Sequence, residues 1–352
     1  MKKILIIRLS SMGDVLLTTA FVRQIRNKFP SAEIDFLVSN NFAEIFRDNP
    51  YITDILAYDK NKTLKEILKF KKNVKNNLPQ KKYDIIFDLQ NNLRSRIFRS
   101  GLAKKIYKIR KKRLHKLLLV NFKKTYQNKL ITIPEIYLDC AAKSGVRDDS
   151  KGLEFRLPEE RNDTDYPPDN RIFAIGHHPV IAIAPGAFHY TKRWQSEKFA
   201  ELLRLFKAKY NAEFFILGGV KDKELADTIQ NSLDFPVSNI SGATTIAETV
   251  IALNQCHLLI TNDTGVLHLA SARHIPCVAI FGSTVKEFGF IPYKIPYRIA
   301  ETNVPCRPCT HYGRAECPKK HFNCMNNLSV EQVFNLSEEL LFEVYGKFSF
   351  VN

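Results

Sequence analysis

Apolar and polar positions follow two alternating patterns along the N-terminal half. The apolar runs KILIIRL, AEIDFLV, ITDILAY and YDIIFDLQ are typical of strands. Between them, VLLTTAFVRQIRNKF, NNFAEIFRDN and TLKEILKFKKNVKNNL carry apolar residues at helical spacing. Strands that alternate with helices predict βαβ units on a parallel sheet.

A second series of the same kind follows. The strands VIAIAPG, AEFFILGG, a short one near VSNISG, HLLITND and PCVAIFGS alternate with helices, and a last helix is predicted near SVEQVFNLSEELLFEVYG. The prediction is an α/β protein of two Rossmann-like, doubly wound lobes that face a cleft. The lobes are residues 1–155 and 180–330, with a polar, Pro-rich linker at 156–179 and a C-terminal helix at 331–352.

Bulk properties narrow the class of protein. A chain of 352 residues with 45% hydrophobic positions suits two globular domains and argues against disorder. No stretch approaches the roughly 20 apolar residues of a membrane span, and the opening MKKILIIRL is better explained as a first strand than as a signal peptide. Seven cysteines, an odd number, do not suggest a secreted disulfide framework. A cytoplasmic protein is expected.

The positive charge is concentrated in one segment. The segment from Lys60 to Leu130 has 23 Lys/Arg against three Asp/Glu. This positive excess is larger than the formal net charge of the entire chain, which is +17. Such a field attracts nucleic acid, anionic lipid or a phosphorylated substrate. The alternative is that the lysines only solvate helix faces. Lys111, Lys112 and Arg113 are the candidate acceptor-binding residues in this segment.

Asp14 stands where the first strand turns into a helix. A carboxylate at a strand end can act as a general base toward an attacking hydroxyl. The spacing Ser11-x-x-Asp14 also fits a capping box, in which the acid only stabilises the helix start. Both interpretations stay open on the local sequence.

Three further strand ends carry candidate ligand-binding residues. In LITNDTGVLHLASA, Asp263, Thr264 and Gly265 open a helix whose start could bind an anion, and His268 shares its face; a plain cap with a core histidine is the alternative. In IAPGAFHYTKRWQ, Lys192 could neutralise a diphosphate, or belong to a surface loop. In ILGGVKDKELAD, Asp222 could bind ribose hydroxyls.

Other motifs carry less information. Neither G-x-G-x-x-G nor G-x-x-x-x-G-K-[ST] occurs, so NAD and P-loop chemistry are not supported. The pair Asp163-Thr164-Asp165 lies in the predicted linker and is interpreted as a solvated loop without a divalent metal. A Cys-rich segment at 305–325 could hold structural zinc, reduced thiols or a disulfide. Its cysteines are Cys306, Cys309, Cys317 and Cys324.

These motifs together resemble the heptosyltransferase family of bacterial lipopolysaccharide core assembly, over nearly the whole chain. The similarity is carried by IRLSSMGDVLLTTAFVRQIRNKFP, TNDTGVLHLASA, APGAFHYTKRWQSEKFAELL, LGGVKDKELA and CRPCTHYGRAECPKKHFNCM. The Cys-rich tail resembles the second-heptose branch. The resemblance implies a GT-B fold whose C-terminal helix returns to the first lobe, and inverting transfer from an ADP-heptose without a required metal.

By this resemblance Asp14 is the base, Lys192 lies near the diphosphate, and Asp263 contacts the sugar. Thr264 and Gly265 would hold the phosphates with His268 nearby, and Asp222 would bind the ribose. The implied acceptor is an anionic lipid-linked saccharide at the cytoplasmic face of the inner membrane. One departure is Ala187-Phe188, where some relatives have a Thr pair. Phosphate contacts would then come from backbone, Tyr190 or Thr191.

Two other functions fit parts of the pattern. A GT-B enzyme could use another nucleotide sugar on a different glycan. A basic nucleic-acid-binding protein would need neither Asp14 nor Asp263 and would bind in a salt-dependent way. No RNP-like, KH or zinc-finger pattern supports the second, and no nucleic-acid partner is expected.

Overall fold

Two parallel sheets organise the chain. The structure is a computed structural model that describes residues 1–59, 61–78, 81–111, 113–123, 130–160 and 178–346. It separates into two units, Met1–Lys111 with Ile133–Tyr166, and Lys112–Thr132 with Pro167–Asn352. The predicted pair of α/β lobes is confirmed at this level.

The first sheet has the strand order β3-β2-β1-β4-β5 and only parallel pairs. Its strands are β1 Lys3–Ile7, β2 Glu33–Ser39, β3 Asp54–Tyr58, β4 Tyr83–Asp88 and β5 Ala103–Lys108. The helices are α1 Met12–Leu16, α2 Thr19–Lys28, α3 Leu64–Asn76, α4 Leu93–Arg99 and, later in the chain, α6 Ile133–Ala141. The predicted helix NNFAEIFRDN is a 3₁₀ helix, Asn40–Phe46. Strand β5 was not predicted, because its exposed lysines interrupt the alternation of apolar and polar residues that is typical of a strand.

The second sheet has the order β11-β10-β9-β6-β7-β8, also parallel throughout. Its strands are β6 Val180–Ala184, β7 Glu213–Ile216, β8 Ser238–Asn239, β9 Leu258–Asn262, β10 Cys277–Phe281 and β11 Tyr297–Glu301. The helices are α7 Ser196–Tyr210, α8 Lys223–Asn231, α9 Ile246–Asn254, α10 Gly265–Ala272, α11 Asn323–Asn326 and α12 Val330–Tyr345. The basic helix α5, Arg113–Phe122, also belongs to this unit.

The C-terminal helix does not pack as predicted. We expected it to return to the first lobe, but the buried side chains of α12 belong to the core of the second unit. Phe334 packs 4.6 Å, ring centre to ring centre, from Phe206 of α7. The apolar stripe of α12 fits the second sheet, so that part of the prediction is wrong for the described residues. No helix among them is both long and apolar enough to cross a membrane.

A buried ion network seats residues 149–154 against α2. Arg23 is 4% exposed, and its guanidinium bonds Asp149 Oδ2 at 2.6 Å and Glu154 Oε2 at 3.0 Å. Asn49 Nδ2 donates to the other Glu154 oxygen at 2.9 Å. Residues 156–160, the start of the predicted linker, are mostly buried in the same unit, and residues 161–177, including Asp163-Thr164-Asp165, lie outside the described residues.

Replacing Arg23 with methionine is expected to lower the free energy of unfolding by about 3–5 kcal/mol, because Glu154 would keep a buried charge without its main partner. Urea denaturation measures the change. Lys223→Met is the control, since the exposed Lys223–Asp227 pair should contribute less than about 1 kcal/mol. Equal losses in both variants would contradict the assignment of a buried network.

Candidate active site

The carboxyl ends of neighbouring strands bring the predicted ligand-binding residues to one edge of the second sheet. Strand β6 lies between β7 and β9, and β9 pairs with β10 on its other side. Gly186 follows β6, Asp222 follows β7, and Asp263 directly follows β9. Parallel strands end at a common edge, which is where open α/β sheets bind ligands.

Lys192 and Asp263 form an ion pair at this edge. Lys192 Nζ lies 2.6 Å from Asp263 Oδ2 and donates to the Asp263 carbonyl oxygen at 3.2 Å. Their side chains are 16% and 10% exposed, so the pair is largely desolvated but reachable from solvent. A cation and a carboxylate in contact can bind an anionic group and a hydroxyl side by side.

Thr284, which lies just after the end of β10, holds the Asp263 carboxylate. Its Oγ1 donates to Asp263 Oδ2 at 2.7 Å, and Thr284 is 2% exposed. The role of Thr284 was not predicted from the sequence. The strand pattern PCVAIFGS ends one residue before it. The pairing depends on a neighbouring strand and is therefore invisible in the local pattern.

The turn that carries Lys192 is held in place by hydrogen bonds to two segments that are distant in sequence. Thr191 Oγ1 donates to Arg314 O at 3.2 Å and accepts bonds from Arg314 N at 2.8 Å and Ser283 Oγ at 2.9 Å. Tyr190 stacks on Phe322 at 5.2 Å. Thr191 is 1% exposed, so its hydroxyl supports the turn and does not face a ligand. For phosphate contacts this leaves the backbone and Tyr190, which is 51% exposed.

Helix α10 starts beside this pair. Thr264 is its N-cap, with Oγ1 accepting from Val266 N at 3.3 Å. Thr264 and Gly265 are partly exposed, so the helix start is open to an anion. His268 differs, because it is 3% exposed and its ring centre lies 6.4 Å from that of Phe290. The structure thus packs His268 inside the unit, behind the helix start.

Asp222 lies over two glycines. Its Oδ2 accepts from Gly219 N at 3.0 Å. A Cβ on Gly186 would come within 2.2 Å of Asp222 Cγ, and one on Gly218 within 2.8 Å of Asp222 Cβ. Both glycines are therefore needed to let the carboxylate lie across the ends of β6 and β7. This is the position predicted for a ribose contact.

Gly186→Ala is expected to cost about 1–3 kcal/mol of stability through this clash. Asp222→Ala removes the atoms that a Gly186 Cβ would meet, so most of the cost should disappear in the double variant. Gly218→Ala serves as control, because Asp222→Ala keeps the Cβ that it meets. Urea denaturation of the five variants measures the coupling, and an unchanged cost in the double variant would contradict the geometry.

In the first unit, Asp14 is held by two partners. Its Oδ1 lies 2.5 Å from Arg8 Nη2, and its Oδ2 accepts from Ser11 N at 3.2 Å and Ser11 Oγ at 3.1 Å. The capping contact considered from the sequence is present. The side chain is nevertheless 20% exposed, so it also reaches solvent at the carboxyl end of β1.

Arg8 is a buried residue that supports Asp14 and was not predicted from the sequence. It donates to Leu89 O at 2.7 Å and Ser10 O at 3.1 Å, and its guanidinium lies 5.7 Å from the Tyr137 ring centre. Burial alone would lower the pKa of Arg8, but Asp14, Tyr137 and Asp88 together outweigh it and the pKa is raised. A permanent cation thus fixes one oxygen of Asp14.

The candidate acceptor-binding residues Lys111 and Arg113 belong to different units. Lys111 ends the first segment of the first unit, and Arg113 opens α5 in the second unit. Both are exposed, whereas Lys112 lies outside the described residues.

The Cys-rich segment lies against the lysine turn. A Cβ on Gly313 would come within 2.6 Å of His189 Cβ, and Cys309 N donates to Ser283 O at 3.1 Å. Burial and neighbouring thiols raise the pKa of Cys309, and burial raises that of Cys324 to about 11. Within the described ranges, no three His, Cys, Asp or Glu side chains are grouped to hold a metal ion.

Known proteins are similar to this chain in sequence. The family model "Glycosyltransferase family 9 (heptosyltransferase)" matches residues 70–320, more than half of the chain. Lipooligosaccharide heptosyltransferase 2 of Haemophilus influenzae is 25% identical over 310 residues, covering 81% of this chain and 84% of that one. The protein of the same name in Campylobacter jejuni is 31% identical over 167 residues, covering 46% of this chain and about half (51%) of that relative.

A solved structure supports the fold. The structure of Escherichia coli ADP-heptose lps heptosyltransferase II matches with a TM-score of 0.68 and 18% identity, over 98% of this chain and 99% of that one. The predicted GT-B class is thereby confirmed. The chain belongs to glycosyltransferase family 9, the heptosyltransferase family.

Proposed function

We propose that the protein transfers a heptose from ADP-heptose to the inner core of lipopolysaccharide with inversion at the anomeric carbon. The observation that carries the proposal is the Lys192–Asp263 pair at 2.6 Å beside the partly exposed start of α10. A cation, a carboxylate and free helix N–H groups together suit a sugar diphosphate. A structural neighbour named as an ADP-heptose heptosyltransferase supports the choice of donor.

The donor is assigned to the second unit. The diphosphate binds Lys192 and the backbone N–H groups at Thr264 and Gly265, and Asp263 accepts a hydrogen bond from a heptose hydroxyl. Asp222 accepts from the ribose hydroxyls, as acids do in related nucleotide folds. His268, 3% exposed behind the helix start, is proposed to lie close to the donor.

The reacting hydroxyl of the acceptor is assigned to Asp14 of the first unit, which acts as general base. The acceptor oxygen attacks the anomeric carbon, and its proton passes to Asp14. The bond from that carbon to the ADP oxygen breaks, and ADP leaves with the additional negative charge. Lys192 and the start of α10 speed the reaction insofar as they bind this charge more tightly in the transition state than in the donor.

The acceptor is an anionic, lipid-linked saccharide, met at the cytoplasmic face of the inner membrane. The excess of Lys/Arg between Lys60 and Leu130 supports this assignment, because phosphorylated and acidic sugars carry the opposite charge. Lys111 and Arg113 are exposed and are proposed contacts, together with Lys112. The acceptor sugar is that of Kdo-lipid A or a first heptose of the inner core.

A donor panel tests the proposal. Wild type and Asp14→Ala are incubated with a core acceptor and ADP-heptose, UDP-glucose or GDP-mannose, and product is followed by mass spectrometry. Turnover of ADP-heptose by wild type alone is expected. Turnover of another donor would indicate a different glycosyltransferase. Tight binding of duplex DNA without any sugar transfer would indicate a nucleic-acid-binding protein.

Chelation is expected to leave heptose transfer unchanged within about twofold, since Lys192 and the helix start supply the positive charge that a metal would otherwise provide. Transfer is measured before and after dialysis against EDTA, with metal content determined in parallel. A large loss that zinc restores would contradict this and would assign a metal to Cys306, Cys309, Cys317 and Cys324.

A further inference from the structure

Helix α5 exposes an apolar surface where a solvated helix should be polar. Leu114, Leu117 and Phe122 are 69%, 57% and 62% exposed, and Leu118 beside them is half-buried. At about 100° per residue these four side chains lie on one side of the helix. We call them the α5 apolar face.

The opposite side of α5 is already occupied. Leu119 is 5% exposed and packs with Val285 and Phe288 of the second unit, and Val120 packs against the same cluster. Lys116 Nζ lies 5.6 Å from the Phe290 ring centre, and Lys123 Nζ donates to Pro308 O at 2.6 Å. The helix is therefore anchored through one face, which leaves the α5 apolar face outward. A helix that is apolar on both faces is normally covered on both.

The charge around α5 indicates which kind of partner covers the α5 apolar face. The sequence holds 14 Lys/Arg and no Asp or Glu between Asp88 and Glu135. Arg110, Lys111 and Arg113 are exposed at or just before the helix start. A second copy of this segment would repel, and a nucleic acid would leave the leucines unused. An anionic lipid surface satisfies both the apolar face and the cations.

We propose that α5 is a membrane-docking helix that lies in the headgroup region of an anionic bilayer and inserts the α5 apolar face. Ten residues of helix extend about 15 Å, too short to span the apolar core, so the helix lies along the surface. The inference rests on the proposed function, because it assigns the membrane contact of that function to α5. Docking would hold the protein at the surface that displays its acceptor.

Sedimentation with vesicles of phosphatidylcholine and phosphatidylglycerol at 7:3 tests the proposal on the full chain. Leu114→Asp/Leu117→Asp is expected to weaken partitioning at least about tenfold. The matched control is Leu64→Asp/Leu68→Asp in α3, where the leucines are 57% and 48% exposed and the charge change is the same. Its loss should stay within about threefold. Equal losses for the two pairs would overturn the proposal.

A depth measurement separates insertion from surface attraction. In Leu117→Trp, bromine-labelled lipids in the same vesicles should quench the new fluorescence, since the native Trp194 is 1% exposed. Ile251→Trp, at a position 49% exposed in α9, should stay unquenched. A vesicle-bound Leu117→Trp protein without quenching would overturn insertion.

Transfer to a lipid-free core oligosaccharide distinguishes this inference from the proposed function. The α5 double variant should glycosylate that acceptor at the wild-type rate, because it changes only exposed positions. Absence of transfer in wild type would refute the proposed function and leave the vesicle result standing. Loss of lipid-free transfer in the α5 variant, with an unchanged melting temperature, would assign α5 to acceptor binding and overturn membrane docking.

Discussion

Asp14→Asn should lower kcat for heptose transfer by about 10²–10⁴-fold and leave ADP-heptose affinity unchanged. Asparagine keeps the shape of the side chain and can still accept from Ser11 N, which lies 3.2 Å from the native carboxylate. It cannot take the proton of the acceptor hydroxyl. Because it also deprives buried Arg8 of its counter-charge, the melting temperature should be measured alongside kcat.

Asp84→Asn is the matched control for Asp14. Asp84 also pairs with a cation, Lys104 Nζ at 2.9 Å, and accepts from a backbone N–H, that of Lys3 at 2.9 Å. It lies near the amino end of β4, whereas Asp14 follows the carboxyl end of the parallel strand β1. The control should keep wild-type kcat. An Asp14→Asn enzyme with normal kcat would remove Asp14 as the base.

Lys192→Ala should lower kcat/KM by about 10²–10³-fold, the range for removing one donor from a site of developing negative charge. Two effects combine. The cation is lost, and Asp263, still held by Thr284 Oγ1 at 2.7 Å, becomes an uncompensated carboxylate beside the diphosphate. ADP binding, followed by calorimetry, should therefore weaken together with turnover.

The effect of the uncompensated Asp263 carboxylate can be measured separately. Adding Asp263→Asn to Lys192→Ala should recover part of the ADP affinity, because the repelling charge is gone, although turnover stays low. Lys223→Ala, which removes a 60%-exposed lysine paired with Asp227, should change neither quantity. If Lys192→Ala binds ADP as wild type does, the diphosphate does not lie at this pair.

Most of the candidate site was predictable because parallel strands place their carboxyl ends together. Asp263, Lys192 and Asp222 were found from turns that follow buried strands, and the structure brings all three to one sheet edge. Periodicity also found most of the helices and strands. The edge strand β5 was missed because its exposed positions carry lysines.

The residues that hold the site could not be found in this way. Thr284, Ser283 and Arg314 act through contacts between segments distant in sequence, such as the Thr191–Arg314 bonds. A threonine that follows a strand looks the same whether it supports a neighbouring carboxylate or only ends a sheet. The packing of α12 and α5 on the second unit could not be predicted for a similar reason. An apolar stripe shows that one face of a helix is buried, but it does not show which sheet covers that face.

The central claim is that the edge formed by Lys192, Asp263 and the start of α10 binds the diphosphate of an ADP-sugar. The most direct measurement is calorimetric titration of wild type and Lys192→Ala with intact ADP-heptose at fixed ionic strength. We predict saturable one-to-one binding to wild type and a loss of at least about tenfold in affinity for the variant. Equal affinity in the two proteins, or no binding to wild type, would contradict the account.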